Sequence, residues 1–598
     1  MNKNLRINNI PNLKIECYRE LKLLITFMTS RIFIFIDDQK FATSPGESVL
    51  QVALRNNIKI PHFCYHEDLP TDANCRTCLV EVKPSSRVLT SCTLKASSGL
   101  KVYTNTPKVK KLRKENLELL LASHKEYCHR CKKGHFCKTL QIMNLYKISG
   151  DKYKKRKVSD GIHKLGTAAE FDPQSCIACN KCVEICEKIG IGFLKLEGKG
   201  AGTHVTYNKD PNVDCIYCGQ CTVHCPVTAI REQSHIEQVE KVLKDKKKIV
   251  IAQMAPSVRA SIGEEFGLKV GTDLTGKIYT AFRDLGFDKV FDVNMGADIT
   301  TVVEAEELVE RIQDEGVLPM FTSCCPGWVK FVEFYYPEMI PHLTTARSPQ
   351  IHSGGAYKTW WAKKMGIDPK DIVVVSFMPC TSKKYEAGFE KLKIDGNDPV
   401  DYVLTTRETA VLFRKHGIDL PNLKNSKVDS FGTYSGAGAI YGASGGVMES
   451  ALRTAVFKLT GKNPKKIEFK KVRGMNGIKK AVIKVGKKIL NVGVVSMPKN
   501  ARIVLEEIKK NPKAYDYIEF MACPGGCIGG GGQPIPSTES IIEQRILSLY
   551  KIDDKMKLRT AHENPVVKEF FDDYVSKLSD KKKKELLYTS YKKKRKFE

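Results

Sequence analysis

Tyr517-Ile-Glu-Phe-Met-Ala-Cys-Pro-Gly-Gly-Cys-Ile-Gly-Gly-Gly-Gly-Gln-Pro534 is the stretch on which the reading of this chain turns. Residues 517–521 form a short, mostly apolar run of strand character. The run stops at a cysteine, and Cys523-x3-Cys527 follows among glycines that let the backbone approach a bulky group. Two other segments end the same way. Thr322-Ser-Cys-Cys-Pro-Gly-Trp328 closes the run 317–322, and Met378-Pro-Cys-Thr-Ser-Lys-Lys384 closes the run 372–377. Further runs at 249–252, 290–293 and 492–496 alternate with helical segments, which predicts α/β architecture with largely parallel sheet. Cysteines at the carboxyl ends of several strands lie where an open α/β sheet binds its ligands. Four of Cys324, Cys325, Cys380, Cys523 and Cys527 can hold a metal cluster, leaving one spare, and Lys383 can donate to an anionic group. Buried structural cysteines would not explain why all of them end strands beside glycine and proline.

The chain has 598 residues and 21 cysteines. Working outward from the dispersed set, all the others except Cys17 fall into four compact groups. Cys176-x2-Cys179-x2-Cys182-x3-Cys186 and Cys215-x2-Cys218-x2-Cys221-x3-Cys225 form the tandem spacing of a two-cluster ferredoxin. In that arrangement the fourth cysteine of each run ligates the other cluster. One [4Fe–4S] is therefore expected on Cys176, Cys179, Cys182 and Cys225, and a second on Cys215, Cys218, Cys221 and Cys186. Glu187 stands where the first run would carry a proline, which alters loop shape and not ligation. Cys64-x10-Cys75-x2-Cys78-x13-Cys92 departs from the plant ferredoxin spacing but suits a [2Fe–2S] cluster, with structural zinc as the competing reading. His124-x3-Cys128-x2-Cys131-x5-Cys137 suits a [4Fe–4S] cluster with one imidazole ligand. His129 and His135 lie inside this group, and a Cys3His zinc site competes with the cluster.

A chain this long implies roughly three to five domains. Its 42% hydrophobic content is ordinary for globular domains. Cysteines in CxxC-type sets, with no secretory leader pattern, point to metal ligation in a reducing, cytoplasmic setting. No apolar run approaches a membrane span. Residues 1–30 read as an extension. The formal net charge is +30. That balance suits an acidic protein partner such as an electron carrier, and no nucleic-acid motif accompanies it. Strands are predicted at 31–36 and 77–82, helices at 48–57 and 109–121. The glycine-rich stretch 435–446 lacks a phosphate-loop pattern and reads as close packing.

At the three cysteine motifs the chain resembles the [FeFe]-hydrogenases, whose motifs TSCCPxW, MPCxxKK and CxxGGGQP are intact here. The amino-terminal half also resembles the electron-input subunit of respiratory complex I. The resemblance implies a modular α/β protein. Its parts are a β-grasp [2Fe–2S] domain at 31–108, a small His/Cys3 [4Fe–4S] domain at 109–166, and a two-cluster ferredoxin-like α+β domain at 167–240. A two-lobed H-cluster domain at 241–545 and a small-subunit-like segment at 546–598 follow. It implies reversible proton reduction to H2 at an H-cluster, with the catalytic subunit of an NAD(P)-linked multisubunit hydrogenase, or a non-catalytic electron-transfer subunit of the complex I kind, as the alternatives. Cys325, Cys380, Cys523 and Cys527 would hold the [4Fe–4S] part, and Cys527 would bridge to a di-iron unit with CO, cyanide and a bridging azadithiolate. Cys324 would pass protons to that unit through a relay of Glu304, Thr344, Glu307 and Arg311. Lys383 and Ser257, beside Pro256, would bind cyanide, with Met378, Met521 and Tyr441 packed nearby. Thr344 and Tyr441 depart from the usual Ser and Phe, and Tyr441 would add a polar group beside the iron site. The partners implied are ferredoxin or a flavin/NAD(P)-binding subunit, together with maturation proteins for the di-iron unit.

Overall fold

The computed structural model describes residues 31–122, 124, 138–148, 152–153, 161–464, 466–485 and 488–598. The 1–30 extension with Cys17, and Cys128, Cys131 and Cys137, lie outside the described residues. The chain divides into two compact units, 1–158 with 174–179, and 159–173 with 180–598.

In the first unit, strands β1 (Ile32–Ile36), β2 (Gln39–Thr43), β3 (Leu79–Lys83), β4 (Arg87–Thr90) and β5 (Lys101–Tyr103) form one sheet in the order β2-β1-β5-β3-β4. The β1–β5 pair is parallel and the other pairs are antiparallel. The helix Val49–Arg55 lays Val49, Leu50, Val52 and Ala53 into the same core as Ile34, Ile36, Val80 and Val102. Ser48 and Gln51 start that helix as a reciprocal capping box, which satisfies two otherwise orphaned backbone donors. The next helix, Pro107–Leu121, begins two residues before the predicted start because Thr106 caps it and Pro107 fits its first turn. Buried Arg113 of that helix donates to Leu79 O of the sheet and to Tyr146 OH.

The second unit opens with small pieces: β6 (His163–Leu165), β7 (Ala169–Phe171), β8 (Leu194–Glu197), β9 (His204–Tyr207) and β10 (Ile230–Glu232). They form the sheet β10-β7-β6 and the hairpin β8-β9. Beyond them lie β11 (Ile249–Met254), β12 (Lys289–Asp292), β13 (Met320–Phe321), β14 (Ile372–Met378), β15 (Tyr402–Thr405), β16 (Ile478–Val485), β17 (Lys488–Ser496) and β18 (Tyr517–Met521). These build two four-stranded sheets, β12-β11-β14-β15, wholly parallel, and β13-β18-β17-β16, parallel except for the hairpin β16-β17.

All seven residues of β14 are buried, as expected of a parallel strand covered on both faces. The predicted strand at 317–322 shrinks to two residues, because Pro319 has no N–H for a ladder. The run at 290–293 ends one residue early. Asp292 caps the long helix Val293–Gln313 and accepts from Asn294 N. Sequence alone does not identify β16. Its alternation Ile478-Lys-Lys-Ala-Val-Ile-Lys-Val485 buries every second residue, Lys479 included, and turns Lys480, Val482 and Lys484 outward, so no apolar run marks it. The glycine-rich stretch packs closely, as predicted: a Cβ on Gly438 would meet Asn294 O at 2.5 Å. Among the described residues, no helix is long and apolar enough to cross a membrane.

Candidate active site

Each dispersed cysteine sits where a buried strand gives way to a turn or helix. Cys324 and Cys325 follow β13, and Cys325 is the N-cap of the helix Pro326–Tyr335. Cys380 lies between β14 and the helix Ser382–Ala387. Cys523 follows β18, and Cys527 opens the short turn Cys527–Gly529. Ser257 lies just beyond β11, in the turn Pro256–Arg259. β11 and β14 belong to one sheet, β13 and β18 to the other, so the carboxyl ends of both sheets supply the site. Gly532 N donates to Pro379 O at 2.8 Å and joins two of the cysteine loops. Gly526 has φ +91°, and a Cβ there would lie 2.7 Å from Ser444 N, so only glycine fits this turn.

Burial pushes the Cys380 thiol up to about 11 and the Cys523 thiol well above its ordinary value, and neighbouring cysteines add to both shifts. Several buried thiols within electrostatic reach of one another cannot all become thiolates without a cation among them. Soft thiolate donors then fit an iron cluster. The polar groups around them fit an anionic ligand. Ser257 Oγ is buried without a hydrogen-bond partner. A buried hydroxyl left unpaired is costly, so an acceptor belongs beside it. Lys383 Nζ donates to Cys324 O and to Glu386 Oε2, each at 2.9 Å, using two of its three protons. Burial opposes its charge, but Glu386 outweighs that and raises the Lys383 pKa. Glu386 is itself fixed by Ser348 Oγ at 2.8 Å and Gln350 Nε2 at 2.7 Å. Met378 and Met521 end β14 and β18 and are buried. The Tyr441 hydroxyl is taken up by Thr301 Oγ1 at 2.8 Å, which also meets Ser450 Oγ.

The helix Val293–Gln313 carries Thr301, Glu304, Glu307 and Arg311 at spacings of three or four, hence along one face. Glu304 is 1% exposed. Its Oε1 accepts from Tyr517 OH at 2.7 Å, and its Oε2 has no partner. Burial, reinforced by Glu307 and Glu519, pushes its carboxyl up to about 8 despite the Tyr517 hydrogen bond, so it holds a proton at neutral pH. Cys324 lies within its electrostatic reach. Nearer the surface, Glu307 Oε2 accepts from Thr344 Oγ1 at 2.6 Å, Thr345 N at 2.9 Å and Thr345 Oγ1 at 3.1 Å. Its Oε1 accepts from Arg311, which also donates to Leu343 O at 2.9 Å. The structure thus joins Thr344, Glu307 and Arg311 directly. Among the described residues, no hydrogen bond links Glu304 to Thr344 or Cys324.

Tyr517, Thr345 and Glu386 are not singled out by the sequence reading. Glu386 stands three residues after Lys383 on one helix, a charge spacing that could reveal it. Tyr517 comes from a distant strand and has no local signal.

Cys186, Cys215, Cys218 and Cys221 lie within electrostatic reach of one another. Phe193 N donates to Cys186 Sγ at 3.2 Å and Tyr217 N to Cys215 Sγ at 3.4 Å. This loop is fastened to two of the three cysteine loops of the main site. Thr381 Oγ1 and Ser382 Oγ donate to Tyr217 O at 2.7 and 2.8 Å, and Gln220 Nε2 donates to Gly529 O at 2.8 Å. Cys218 is within electrostatic reach of both Cys380 and Cys523. Cys176 and Cys179 belong to the first unit, Cys182 and Cys225 to the second.

In the first unit Cys64, Cys75, Cys78 and Cys92 are buried free thiols. The Cys64 and Cys75 sulfurs are 3.4 Å apart, and Thr77 Oγ1 is 3.2 Å from Cys75 Sγ. The hydrogen bond from Cys64 pulls the Cys75 thiol below the ordinary thiol range. His124 Nδ1 is 2.9 Å from Ser175 O, a carbonyl contact of the kind that orients a metal-binding imidazole.

The chain matches four families. They are the iron only hydrogenase large subunit, C-terminal domain, over residues 248–531; a 2Fe-2S iron-sulfur cluster binding domain over 29–107; a 4Fe-4S dicluster domain over 175–229; and the iron hydrogenase small subunit over 539–594. It is 39% identical to iron hydrogenase 1 of Clostridium pasteurianum over 94% of this chain and 100% of that one. It is 38% identical to the NADP-reducing hydrogenase subunit HndD of Solidesulfovibrio fructosivorans, over 94% of this chain and 99% of the relative. A solved structure of a variant of the apo [FeFe]-hydrogenase HydA1 from Chlamydomonas reinhardtii aligns with TM-score 0.54 at 36% identity, covering 60% of this chain and 99% of that one.

Proposed function

Because the chain belongs to the iron-only hydrogenases, we propose that its buried cysteine site, with Cys324, Glu304, Thr344, Glu307 and Arg311 as proton path, interconverts 2H⁺ + 2e⁻ and H2. It is an oxidoreductase acting on hydrogen, with iron–sulfur domains that relay electrons. The observation that carries the assignment of residues is that Cys324, Cys325, Cys380, Cys523 and Cys527 follow the strands of two sheets within electrostatic reach of one another, with Lys383 bonded to Cys324 O and Ser257 Oγ unpaired at the end of β11.

When bound, the H-cluster supplies the iron chemistry that makes and breaks the H–H bond. The protein's own residues do the rest. Cys325, Cys380, Cys523 and Cys527 would hold the cubane, and Ser257 and Lys383 would donate to the anionic ligands of the di-iron unit. Cys324, the spare thiol, moves a proton between that site and Glu304. Glu304 is protonated at neutral pH and can donate; as an anion it can accept. Thr344, bonded to Glu307, continues the path to Arg311 and the surface.

The remaining cysteine groups hold one [2Fe–2S] and three accessory [4Fe–4S] clusters, in three of the six segments read from the sequence, 31–108, 109–166 and 167–240. Fully matured protein then carries about 20 iron atoms per chain. Less than half of that, with zinc making up the difference, overturns the partition. Cys324→Ala should keep the infrared CO bands of the di-iron unit and lose turnover, whereas Cys325→Ala should lose the cubane. The reverse pattern exchanges the two roles. The electron partner is an acidic carrier of the ferredoxin kind, steered by the basic balance of the chain. The likeness to HndD favours a second reading, a flavin/NAD(P)-binding subunit. Salt-sensitive H2 production from reduced ferredoxin by the chain alone supports the first. Production only after adding such a subunit with NADPH or NADH supports the second.

A further inference from the structure

The helix Pro326–Tyr335 starts at Cys325 and carries Lys330 into the interior. Lys330 Nζ lies 2.8 Å from Asp214 Oδ2, and both side chains are 1% exposed. The contact is an ion pair off the line of a hydrogen bond, since Nζ has no hydrogen-bond partner. The ammonium also lies 5.1 Å from the Tyr217 ring centre and 5.7 Å from that of Tyr385. Asp214 immediately precedes Cys215 and is held in place. Its N–H donates to Tyr335 OH, Tyr335 OH donates to its carbonyl, and Phe597 N donates to Oδ2 at 3.2 Å. Its Oδ1 is buried without a partner. On the same helix, Glu333 is offset by Lys594 at 3.5 Å and Lys391 at 4.0 Å.

Neither Lys330 nor Asp214 belongs to the ligand sets or to the proton path. Burying two charges costs desolvation that an imperfect pair does not fully return, so stability alone is a weak reason for them. Their position is more telling. Lys330 links the helix that begins at Cys325 with the loop that begins at Cys215, and Cys218 of that loop is within electrostatic reach of Cys380 and Cys523. Lys330 itself lies within electrostatic reach of Cys215, so its charge acts at the sulfur site next to the main one. A fixed cation beside a cluster favours its reduced, more negative state, and a low dielectric strengthens the effect.

We propose that Lys330 is a positioning residue for electron transfer, whose buried charge raises the reduction potential of the cluster on Cys186, Cys215, Cys218 and Cys221, with Asp214 as the opposing charge. The inference rests on the reading of those four cysteines as one ligand set.

The test is potentiometry followed by electron paramagnetic resonance on the full, matured chain. Lys330→Gln should make reduction of one accessory [4Fe–4S] cluster about tenfold less favourable, about 59 mV lower for a one-electron couple. Asp214→Asn should shift the same cluster upward, the double variant should return toward the parent, and Lys330→Arg should not move it. The infrared bands of the di-iron unit should stay in place. A potential that does not move in Lys330→Gln, a shift shared by every cluster, or a double variant that keeps the full shift overturns the proposal. Should Lys330→Gln not fold, an upward shift in Asp214→Asn with none in Lys330→Arg supports it, and no shift in Asp214→Asn overturns it. The ligand reading fails separately. If Cys215→Ala removes no accessory signal, the four-cysteine set is wrong and the inference falls with it.

Discussion

The Cys64–Cys92 group and the Cys324–Cys527 group are both buried cysteine sets, yet they are built in opposite ways. In the first, one small sheet and its loops supply every thiol, and Cys64 and Cys75 already touch at 3.4 Å. In the second, two separate sheets must form before the ends of β13, β14 and β18 can present their cysteines together. A local set binds metal as a self-contained module. A dispersed set binds it only as a property of the whole fold, and only there do Ser257, Lys383 and Glu304 arrive as partners.

The sharpest way to break this contrast is to remove one thiol from each set. Cys380→Ala should reduce H2 turnover to background, since the cubane loses a ligand. Cys75→Ala should lose only the [2Fe–2S] signal and keep most turnover with a small dye that delivers electrons directly. Equal losses in the two variants, measured as dye-driven H2 evolution with iron content, would show that the small unit is not modular.

A smaller effect is expected inside the dispersed site. Glu304→Gln keeps the shape and the Tyr517 contact but cannot cycle a proton. It should lower turnover by about 10²–10⁴-fold, the usual span for a lost general acid–base group, with the infrared bands retained. Nearer the surface, Thr344→Val removes the hydroxyl that donates to Glu307 Oε2 at 2.6 Å. Loss of a hydrogen bond of this kind should cost up to about tenfold, while Thr344→Ser should retain activity. Equal rates in the Val and Ser variants would mean that protons do not need this hydroxyl.

The same contrast governs how much of the molecule is legible in its sequence. The three motifs that end strands announce both the α/β fold and the five cysteines, because a strand, a turn and a thiol are adjacent along the chain. The pairing of strands into two sheets is not visible there, since β13 meets β18 across nearly two hundred residues. β16 escapes notice because its lysines break the apolar run, and Tyr517 because it reaches Glu304 from another element. Tyr441 does carry the polar group expected of it, but its hydroxyl bonds Thr301, a residue that only the packed helix brings near. Local chemistry is written in spacing; partners that cross the core are not.

The smallest expected effect concerns stability, and it separates the two regions once more. Burial raises the Glu304 carboxyl from 4.5 to about 8. The folded state therefore binds this proton more tightly than the unfolded chain does. Its stabilising contribution is fully present below pH 4.5 and is lost as pH rises through about 8. Glu304→Gln has no proton to lose there, so unfolding of the second unit in that variant should depend less on pH over this interval. The Cys64–Cys92 unit contains no part of this group and should respond identically in both proteins. The measurement is denaturant unfolding of the metal-free chain under reducing conditions at several pH values, with probes in each unit. A pH dependence of the second unit that is the same in parent and Glu304→Gln would show that the carboxyl is not held protonated. The proton path would then have to start from an ionised Glu304, with Cys324 facing a base in place of an acid.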